Sequence, residues 1–296
     1  MKAVFQGRHG AFSEIAAQRF FGEEVQTIPV DTFLDLHKMV QSGEADYGVI
    51  PMENSTAGSV MENYDLLLKY KSAIISEVKL QIDHCLIALK GETVESLTKV
   101  ISHWQALEQC SRFFEENPQI KKEPFFDTAG AVERIARKQS KGVGGIASAF
   151  AAEYYGLEIL KNPLANFPGL NFTRFFAIQK EDTPVDVALH TKTSIAFFLK
   201  KNMPGALHAC LSCFARQNVD LIRIESRPKI GSPWEYVFYA DLAGNPQQQP
   251  VEQALRDLEL MAEVILFGSY SQYLFPARLP TTAEANAAAK SWVSKF

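Results

Sequence analysis

The sequence predicts an α/β protein that combines a two-lobed domain containing a cleft with a smaller module of ferredoxin-like order, β-α-β-β-α-β. Three observations favour this class. The chain has 296 residues, more than one ordinary hydrophobic core accommodates. In its first part, short β-type runs alternate with helical patterns, which is typical of parallel sheets. After a polar linker, residues 194–269 show the six elements of the second module in sequence.

Composition and charge exclude several classes of protein. Apolar residues at 47% and charged residues at 22% are typical of a globular protein in water. The formal net charge of -4 provides no basic surface for nucleic acid or for an anionic membrane. No apolar run reaches the roughly 18 residues that a membrane span needs, and the N-terminus lacks a secretion-signal pattern. We therefore expect a cytoplasmic protein with no nucleic acid and no membrane as partners.

The cysteines indicate packing, not chemistry. Four cysteines in a chain of this length suggest no disulfide framework. Cys210 and Cys213 form a lone C-x-x-C inside a helical pattern, where a spacing of three puts both thiols on one face. We expect core packing there and no metal site.

Polar loops follow the predicted strands of the first part. The strand that ends at Ile50 leads into residues 51–59, which contain a carboxylate, an amide and three hydroxyls. Ligands of parallel α/β sheets bind beyond the carboxyl ends of the strands, so these loops are expected to face one cleft. The alternative is a capping loop, in which Ser59 caps the next helix and Glu62 completes a capping box.

Two further segments carry similar polar groups. Gln105 lies in the first turn of a helix that is predicted to continue to Phe114, and Thr128 lies at the start of another helix. In the first turn at Gln105, backbone N–H groups and the side-chain amide are able to face the cleft together. A helix start able to bind an anion is expected after residues 7–13, and the alternative there is a capped helix with a turn before it.

The segment 171–178 is β-branched and aromatic, which predicts a strand. Successive side chains of a strand point to opposite faces, so Asn171, Thr173 and Phe175 share one face and Arg174 lies on the other. A hydroxyl and an amide at the mouth of an apolar strand suit a small polar substrate. The alternative is a strand end with ordinary polar neighbours.

The second module lacks the residue groups that catalysis needs: a triad, a metal cluster or paired carboxylates. This absence favours a sensor or a dimerising module. Its predicted elements are strand 194–199, helix 205–217, strands 219–226 and 235–242, helix 250–263 and strand 264–269.

Six short motifs in order make the chain resemble bacterial prephenate dehydratase with a C-terminal ACT domain. The resemblance covers residues 1 to about 275. The motifs are Pro51-Met52-Glu53-Asn54-Ser55, Ser102-His103-Trp104-Gln105-Ala106-Leu107, Asp127-Thr128-Ala129-Gly130-Ala131, Asn171-Phe172-Thr173-Arg174-Phe175, Pro204-Gly205-Ala206-Leu207 and Ile224-Glu225-Ser226-Arg227-Pro228.

The resemblance implies a division of the chain and an activity. Residues 1–182 would form a periplasmic-binding-protein-like catalytic domain with two lobes, residues 193–275 the ACT regulatory domain, and residues 276–296 a C-terminal tail. The family converts prephenate to phenylpyruvate, with loss of carbon dioxide and water. Formation of the aromatic ring supplies much of the driving force, so no metal and no organic cofactor is expected.

The resemblance also implies roles for the cleft residues. Thr173 matches the family's critical threonine, which we expect to hydrogen bond to the departing oxygen, and Asn54 and Gln105 match its important amides. Arg174 either binds a carboxylate or only braces the sheet, and Glu53 becomes an acid if burial raises its pKa. The remaining expected substrate contacts are Ser55, Thr128, Asn171 and Phe175.

The same resemblance makes L-phenylalanine an expected allosteric inhibitor and predicts a homodimer or homotetramer. A physical argument supports the site, because Gly205 lies at a helix N-terminus, which favours the carboxylate of an amino acid. The expected site residues are Gly205, Ala206, Leu207, Asn218, Leu221, Glu225, Ser226, Arg227 and Pro228.

Two alternatives remain at this point. An arogenate dehydratase performs the same chemistry on the amino analogue of prephenate, and the motifs do not separate the two substrates. A non-catalytic solute-binding protein with an amino-acid sensor also fits a two-lobed cleft, although such proteins are normally exported.

Overall fold

The computed structural model describes residues 1–180, 190–229, 231–232 and 234–273. Within these ranges the chain forms two compact units, one of residues 1–63 with 78–175 and one of residues 64–77 with 176–273. The predicted mixed α/β class is confirmed. The domain boundaries at 182 and 193 stay predictions, and the predicted tail 276–296 lies outside the described residues.

The elements up to residue 81 follow the predicted alternation of strands and helices. They are β1 (Lys2–Gln6), α1 (Phe12–Phe21), β2 (Gln26–Val30), α2 (Phe33–Ser42), β3 (Tyr47–Asn54), β4 (Gly58–Ser59), α3 (Met61–Tyr70) and β5 (Ala73–Gln81).

The next segment contains six strands, four α-helices and one short 3-10 helix. They are β6 (Cys85–Ala88), the 3-10 helix Val94–Ser96, β7 (Lys99–Ser102), α4 (Trp104–Gln109), α5 (Ser111–Glu116), β8 (Lys121–Pro124), α6 (Thr128–Lys138), β9 (Val143–Ala147), α7 (Ala149–Tyr155), β10 (Glu158–Lys161) and β11 (Phe172–Gln179).

Two sheets organise these strands. The first has the order β5-β11-β3-β1-β2, in which β1 pairs in parallel with β2 and β3, and β4 pairs with β3. The second has the order β10-β6-β9-β7-β8, in which β7 is parallel to β8 and β9. Phe5 and Val49 of the first sheet and Val132 and Ala151 of the helices pack in one buried cluster.

Local structure differs from expectation at three places. Strand β3 continues through Asn54 because β4 pairs with it, so Glu53 and Asn54 are strand residues. Ser59 belongs to β4 and not to the helix start at Met61. The helix that was expected to reach Phe114 is interrupted at Cys110, where α4 ends and α5 begins.

The last elements form a four-stranded antiparallel sheet of order β13-β14-β12-β15, with two helices. They are β12 (Lys192–Leu199), α8 (Ala206–Arg216), β13 (Leu221–Pro228), β14 (Tyr236–Ala243), α9 (Gln249–Glu259) and β15 (Ala262–Tyr270). The short strand β16 (Gln272–Tyr273) follows and pairs with β5 in the first sheet. Helix α8 begins at Ala206, and Gly205 caps it with a φ of 83°. Cys210 and Cys213 are buried in the core of this unit, as their helical spacing predicted.

No helix in the described ranges combines the length and the apolar character that crossing a membrane requires. The cytoplasmic location stays a prediction.

Candidate functional site

A cavity of about 520 Å³ lies within the unit of residues 1–63 and 78–175. Its wall includes five of the side chains that the sequence singled out: Asn54, Gln105, Thr128, Thr173 and Phe175. These five residues come from β3, α4, α6 and β11, which are far apart in the chain. The structure therefore brings the predicted polar segments to one place.

Four helices of ten or eleven residues begin at this cavity. The wall contains Ser13 of α1, Phe33 of α2, Glu62 of α3 and Thr128 of α6, all of them first-turn residues. Helix N-termini carry a partial positive charge and unpaired N–H groups. Among the described lining residues there is no lysine and no arginine. An anion in this cavity would therefore depend on helix dipoles and neutral donors, and the wall also contains the carboxyl groups of Asp31, Glu62 and Asp127.

The amide of Asn54 has a single possible orientation. Its Oδ1 accepts hydrogen bonds from the backbone N–H groups of Thr56, at 3.0 Å, and Ala57, at 2.9 Å. A backbone N–H only donates, so this atom must be the carbonyl oxygen. The Nδ2 group consequently faces β11, where it donates to Asn171 Oδ1 at 2.7 Å and to Thr173 Oγ1 at 2.9 Å.

The hydroxyl of Thr173 is thereby prepared as a donor. Thr173 is 8% exposed and lies in the cavity wall. Because Oγ1 accepts from Asn54, the hydroxyl proton is left to point elsewhere, and a ligand in the cavity is the available acceptor. Phe175 shares this face of β11, in agreement with the predicted alternation, and Asn171 lines a second cavity of about 370 Å³ beside the first.

Gln109 is a cavity residue that sequence reasoning missed. Its Oε1 accepts from Asn171 Nδ2 at 3.1 Å, and its Nε2 donates to Thr56 Oγ1 at 2.7 Å. It lines both cavities together with Gln105. The signal was present in the sequence, because Gln109 follows Gln105 by four residues and such residues share a helix face.

Two histidines in the wall are held neutral. Burial lowers the pKa of His84 below its ordinary value, although a hydrogen bond with Gln109 and the nearby Asp83 act in the opposite direction. Burial also lowers the pKa of His103, which precedes α4. Neither side chain supplies a cation near neutral pH.

Asp127 caps α6 next to Thr128. Its Oδ2 accepts from the backbone N–H groups of Gly130, at 3.0 Å, and Arg8, at 3.2 Å. Burial raises the pKa of this carboxyl, and the backbone hydrogen bonds lower it. A capping carboxylate with several N–H donors is well suited to hold the helix start in place.

Three other predicted residues lie outside the wall of the larger cavity. Arg174 pairs with Glu53, with Nη2 and Oε2 at 3.3 Å. Ser55 Oγ donates to the carbonyl of Leu170 and accepts from the N–H of Phe172, both at 2.9 Å. Ser55 therefore ties the end of β3 to the start of β11, and Arg174 with Glu53 forms an ion pair on the other face of β11.

The residues expected to bind phenylalanine lie at two ends of the four-stranded sheet. Arg227 and Phe198 both pair with Val237, at the end where β12 leads towards Gly205 and α8. Leu221 and Thr193 both pair with Leu242 at the other end, where Asn218 precedes β13. Six strand residues separate Leu221 from Arg227, which corresponds to roughly 20 Å. Within one chain the set is therefore divided in two.

Some of the residues expected to bind phenylalanine already form ion pairs or contacts within this unit. Arg227 Nη2 lies 2.7 Å from Asp65 Oδ2 of α3, and Glu225 pairs with Arg223. Leu207 and Leu221 pack against the core of this unit. Ala206 is the first residue of α8, and Ser226 and Pro228 pair with Phe238 and Tyr236 of β14.

Curated relatives align with nearly the whole chain. Arogenate dehydratase 3, chloroplastic, from Arabidopsis thaliana is 37% identical over 286 residues, covering 91% of this chain and 67% of that protein. The bifunctional chorismate mutase/prephenate dehydratase of Enterobacter agglomerans is 33% identical over 281 residues, covering 93% of this chain and 72% of that protein.

Solved structures are similar over the same length. One is the prephenate dehydratase of Arthrobacter aurescens in complex with L-Phe, at 26% identity and a TM-score of 0.83, covering 100% of this chain and 99% of that one. Another is GqqA, described as a novel type of quorum quenching acylase, at 30% identity and a TM-score of 0.84, covering 92% and 98%. The family model for prephenate dehydratase matches residues 3–183. With this match across the segment that builds the cavity, the chain belongs to the prephenate dehydratase family.

Proposed function

We propose that this chain converts prephenate to phenylpyruvate, carbon dioxide and water. The observation that carries the proposal is the Asn54–Thr173 hydrogen bond in the wall of the 520 Å³ cavity, because it leaves the threonine hydroxyl free to donate to a ligand. In the reaction the bond between the ring and its carboxylate breaks and its electron pair enters the ring. The ring hydroxyl departs and becomes water by taking up a proton from the solvent, and the ring becomes aromatic.

Thr173 acts on the departing oxygen. Negative charge accumulates on that oxygen as the carbon–oxygen bond lengthens, so a hydrogen bond to it strengthens in the transition state. A threonine hydroxyl is too weak an acid to give up its proton outright. Thr173 contributes a hydroxyl that donates a hydrogen bond from a fixed position. Because Asn54 Nδ2 donates to this hydroxyl, the hydroxyl proton does not point back towards β3.

The carboxylate that leaves as carbon dioxide needs a different environment. An ion pair would stabilise the carboxylate more than the neutral product and would slow its loss. The described cavity wall contains no lysine or arginine that would form such a pair. The pyruvyl carboxylate must be held for orientation, and the Gln105 amide, the Thr128 hydroxyl and the helix N-termini are the donors we assign to it.

Arogenate is the second candidate substrate, and a specific feature favours it. The cavity wall contains the carboxyl group of Glu62, which is suited to the ammonium group that arogenate carries and prephenate lacks, whereas the Asp31 carboxyl in the same wall pairs with Arg8 at 2.7 Å. The relative at 37% identity is named arogenate dehydratase. The reaction at the ring is the same for both substrates, so the assignment of Thr173 does not depend on which one is preferred.

The test is a side-by-side assay of purified protein with prephenate and arogenate, in the presence of a metal chelator. We expect phenylpyruvate from prephenate or phenylalanine from arogenate, at a rate that chelation leaves unchanged. A strict requirement for a divalent ion would contradict the mechanism, and turnover of neither substrate would contradict the function.

Phenylalanine is the inhibitor we propose for the second unit, which we assign as an ACT domain. A structurally similar prephenate dehydratase was solved in complex with L-Phe. Support from this chain is the start of α8, where Gly205 leaves the approach to the helix N-terminus without a side chain, and the Glu225–Pro228 segment at the same end of the sheet. Asn218 and Leu221 lie at the opposite end. We therefore propose that a second copy of the chain completes the site, in a homodimer or homotetramer.

A further inference from the structure

His84 lies between β5 and β6 in the wall of the cavity and is 3% exposed. The edge of the Phe12 ring contacts its imidazole, with centroids 5.7 Å apart. Its Nε2 lies 2.8 Å from Oε1 of Gln109. No role has been assigned to this side chain so far.

The direction of the His84 hydrogen bond follows from the backbone. Asn54 Oδ1 is a carbonyl because two backbone N–H groups donate to it, so its Nδ2 donates to Asn171 Oδ1. Asn171 must then present its Nδ2 to Gln109, whose Oε1 accepts at 3.1 Å. An oxygen that accepts from Asn171 also accepts from His84. The proton of the imidazole is therefore on Nε2.

The surroundings of the other ring nitrogen, Nδ1, indicate the same protonation state of His84. Nδ1 is buried, and in the described part of the chain it has no hydrogen-bond partner. A proton there would be a buried donor without an acceptor, which is costly. Burial lowers the pKa of the ring, which agrees with the neutral form. His84 is thus a neutral imidazole with one donor, and that donor is used on Gln109.

We propose that His84 is a positioning residue that holds the Gln109 amide in place and, through Asn171, supports the Asn54–Thr173 pair. The inference rests on the proposed roles of Asn54 and Thr173. Without the His84 donor, Gln109 keeps its orientation through Asn171 and Thr56 but loses one of the hydrogen bonds that fix its position. Asn171, and with it the Asn54–Thr173 pair, would then be held less firmly.

The kinetic test compares His84→Leu with His84→Gln in the full-length protein. Leucine removes the donor and keeps a similar volume, and glutamine offers an Nε2 donor at a similar reach. We expect His84→Leu to lower kcat about tenfold with little change in KM, as loss of one hydrogen bond predicts. We expect His84→Gln to recover most of that loss. Equal turnover in His84→Leu and the parent would overturn the inference.

A double-mutant cycle separates positioning from simple destabilisation. In a Thr173→Ala background the His84→Leu change should cost almost nothing, because the hydroxyl that it positions is already absent. A full additional tenfold loss would show that His84 acts elsewhere. His37→Leu is the matched control, since His37 is also a buried histidine but is not part of the cavity wall. It should lower the melting temperature without changing kcat.

A spectroscopic measurement covers the case in which His84→Leu does not fold. Nitrogen-15 NMR of histidine-labelled protein distinguishes the two neutral tautomers, and the chain has six histidines to resolve. We expect His84 in the Nε2–H form at neutral pH, and an Nδ1–H form would overturn the inference. Absence of dehydratase activity in the parent enzyme would instead refute the proposed function, and the tautomer would still be measurable.

Discussion

The Nδ2 atom of Asn54 lies 2.9 Å from Thr173 Oγ1 and 2.7 Å from Asn171 Oδ1, so one amide sets the hydrogen bonding of Thr173 on β11 and of Asn171 just before that strand. Asn54 and Thr173 are 119 positions apart in the chain. The arrangement depends on β3 and β11 being neighbours in the sheet and on the backbone N–H groups of Thr56 and Ala57, which hold the amide from behind.

Replacing Thr173 by alanine should reduce turnover far more than substrate binding. The hydroxyl interacts most strongly with the oxygen as it departs, so its loss raises the transition state more than the bound substrate. We expect kcat to fall about 10²–10³-fold, the usual cost of one such donor. Steady-state kinetics on the preferred substrate measure this. Thr173→Ser should recover part of the rate, and a variant with normal kcat and a raised KM would move Thr173 to a binding role.

Replacing Asn54 by aspartate tests the direction of its hydrogen bond. Aspartate has nearly the same shape but no donor, so the Thr173 hydroxyl would turn and donate to it. The proton would then be withdrawn from the cavity, and we expect kcat to approach that of Thr173→Ala. The double variant should be little worse than either single one, because both remove the same donor. Losses that multiply in the double variant would refute the coupling.

Replacing Gly205 by valine should abolish inhibition by phenylalanine and leave basal turnover intact. Gly205 has a φ of 83°, and no atom lies within 4 Å of a Cβ built there, so strain and a blocked approach to the helix start are the expected effects. The measurement is activity against phenylalanine concentration.

The matched control for Gly205→Val is Gly43→Val. Gly43 has a φ of 78° and equally open space, but it ends α2 in the other unit. Both variants should lose about 1–2 kcal/mol of stability, the cost of a left-handed backbone. Only Gly205→Val should lose the response to phenylalanine. Undiminished inhibition in that variant would place the inhibitor in the catalytic cavity.

Point substitution is a better test here than truncation near residue 182. Lys192 Nζ lies 2.6 Å from Glu77 Oε2, and both side chains are almost completely buried. Truncation would remove Lys192 and leave the buried Glu77 carboxylate without this partner, which is strongly destabilising. Loss of activity in such a variant would reflect folding and say little about regulation.

His37 should make unfolding more favourable as the pH falls. Burial lowers its pKa from 6.5 to about 4. Above pH 6.5 the ring is neutral in both states and contributes nothing. Between pH 6.5 and 4 the unfolded chain takes up a proton that the folded chain refuses, so the free energy of unfolding falls by up to about 3 kcal/mol. Urea titrations at pH 7.5 and 4.5 measure the change.

The control for this loss of stability at acid pH is the variant His37→Leu. His84 and His103 also have lowered pKa values and weaken the fold in the same direction, so the parent combines several histidines. The leucine variant should lose less stability between the two pH values than the parent does. An identical loss in both proteins would show that His37 is not a source of acid sensitivity.

The α/β class and much of the cavity wall were predictable because they depend on local rules. Alternation along β11 placed Thr173 and Phe175 on one face. Carboxyl ends of strands and starts of helices identified Gln105 and Thr128 as wall residues. Each of these inferences uses residues that are neighbours in the chain.

The remaining features depend on pairing between distant segments. Strand β3 reaches Asn54 only because β4 turns back and pairs with it. The polar sequence of residues 51–59 does not indicate this pairing. Gln109 became visible as a cavity residue through contacts with Asn171 and Thr56, which lie 62 and 53 positions away. The separation of Arg227 from Leu221 follows from the register of β13, which the motifs do not specify.

The described cavity wall has no lysine and no arginine, and four helices begin there. Its attraction for an anion is therefore built from peptide groups and from neutral donors such as the Gln105 amide and the Thr128 hydroxyl, which do not titrate in the alkaline range and which amine-reactive reagents do not modify. Affinity for the substrate should consequently stay constant across the alkaline range in which lysines lose their charge.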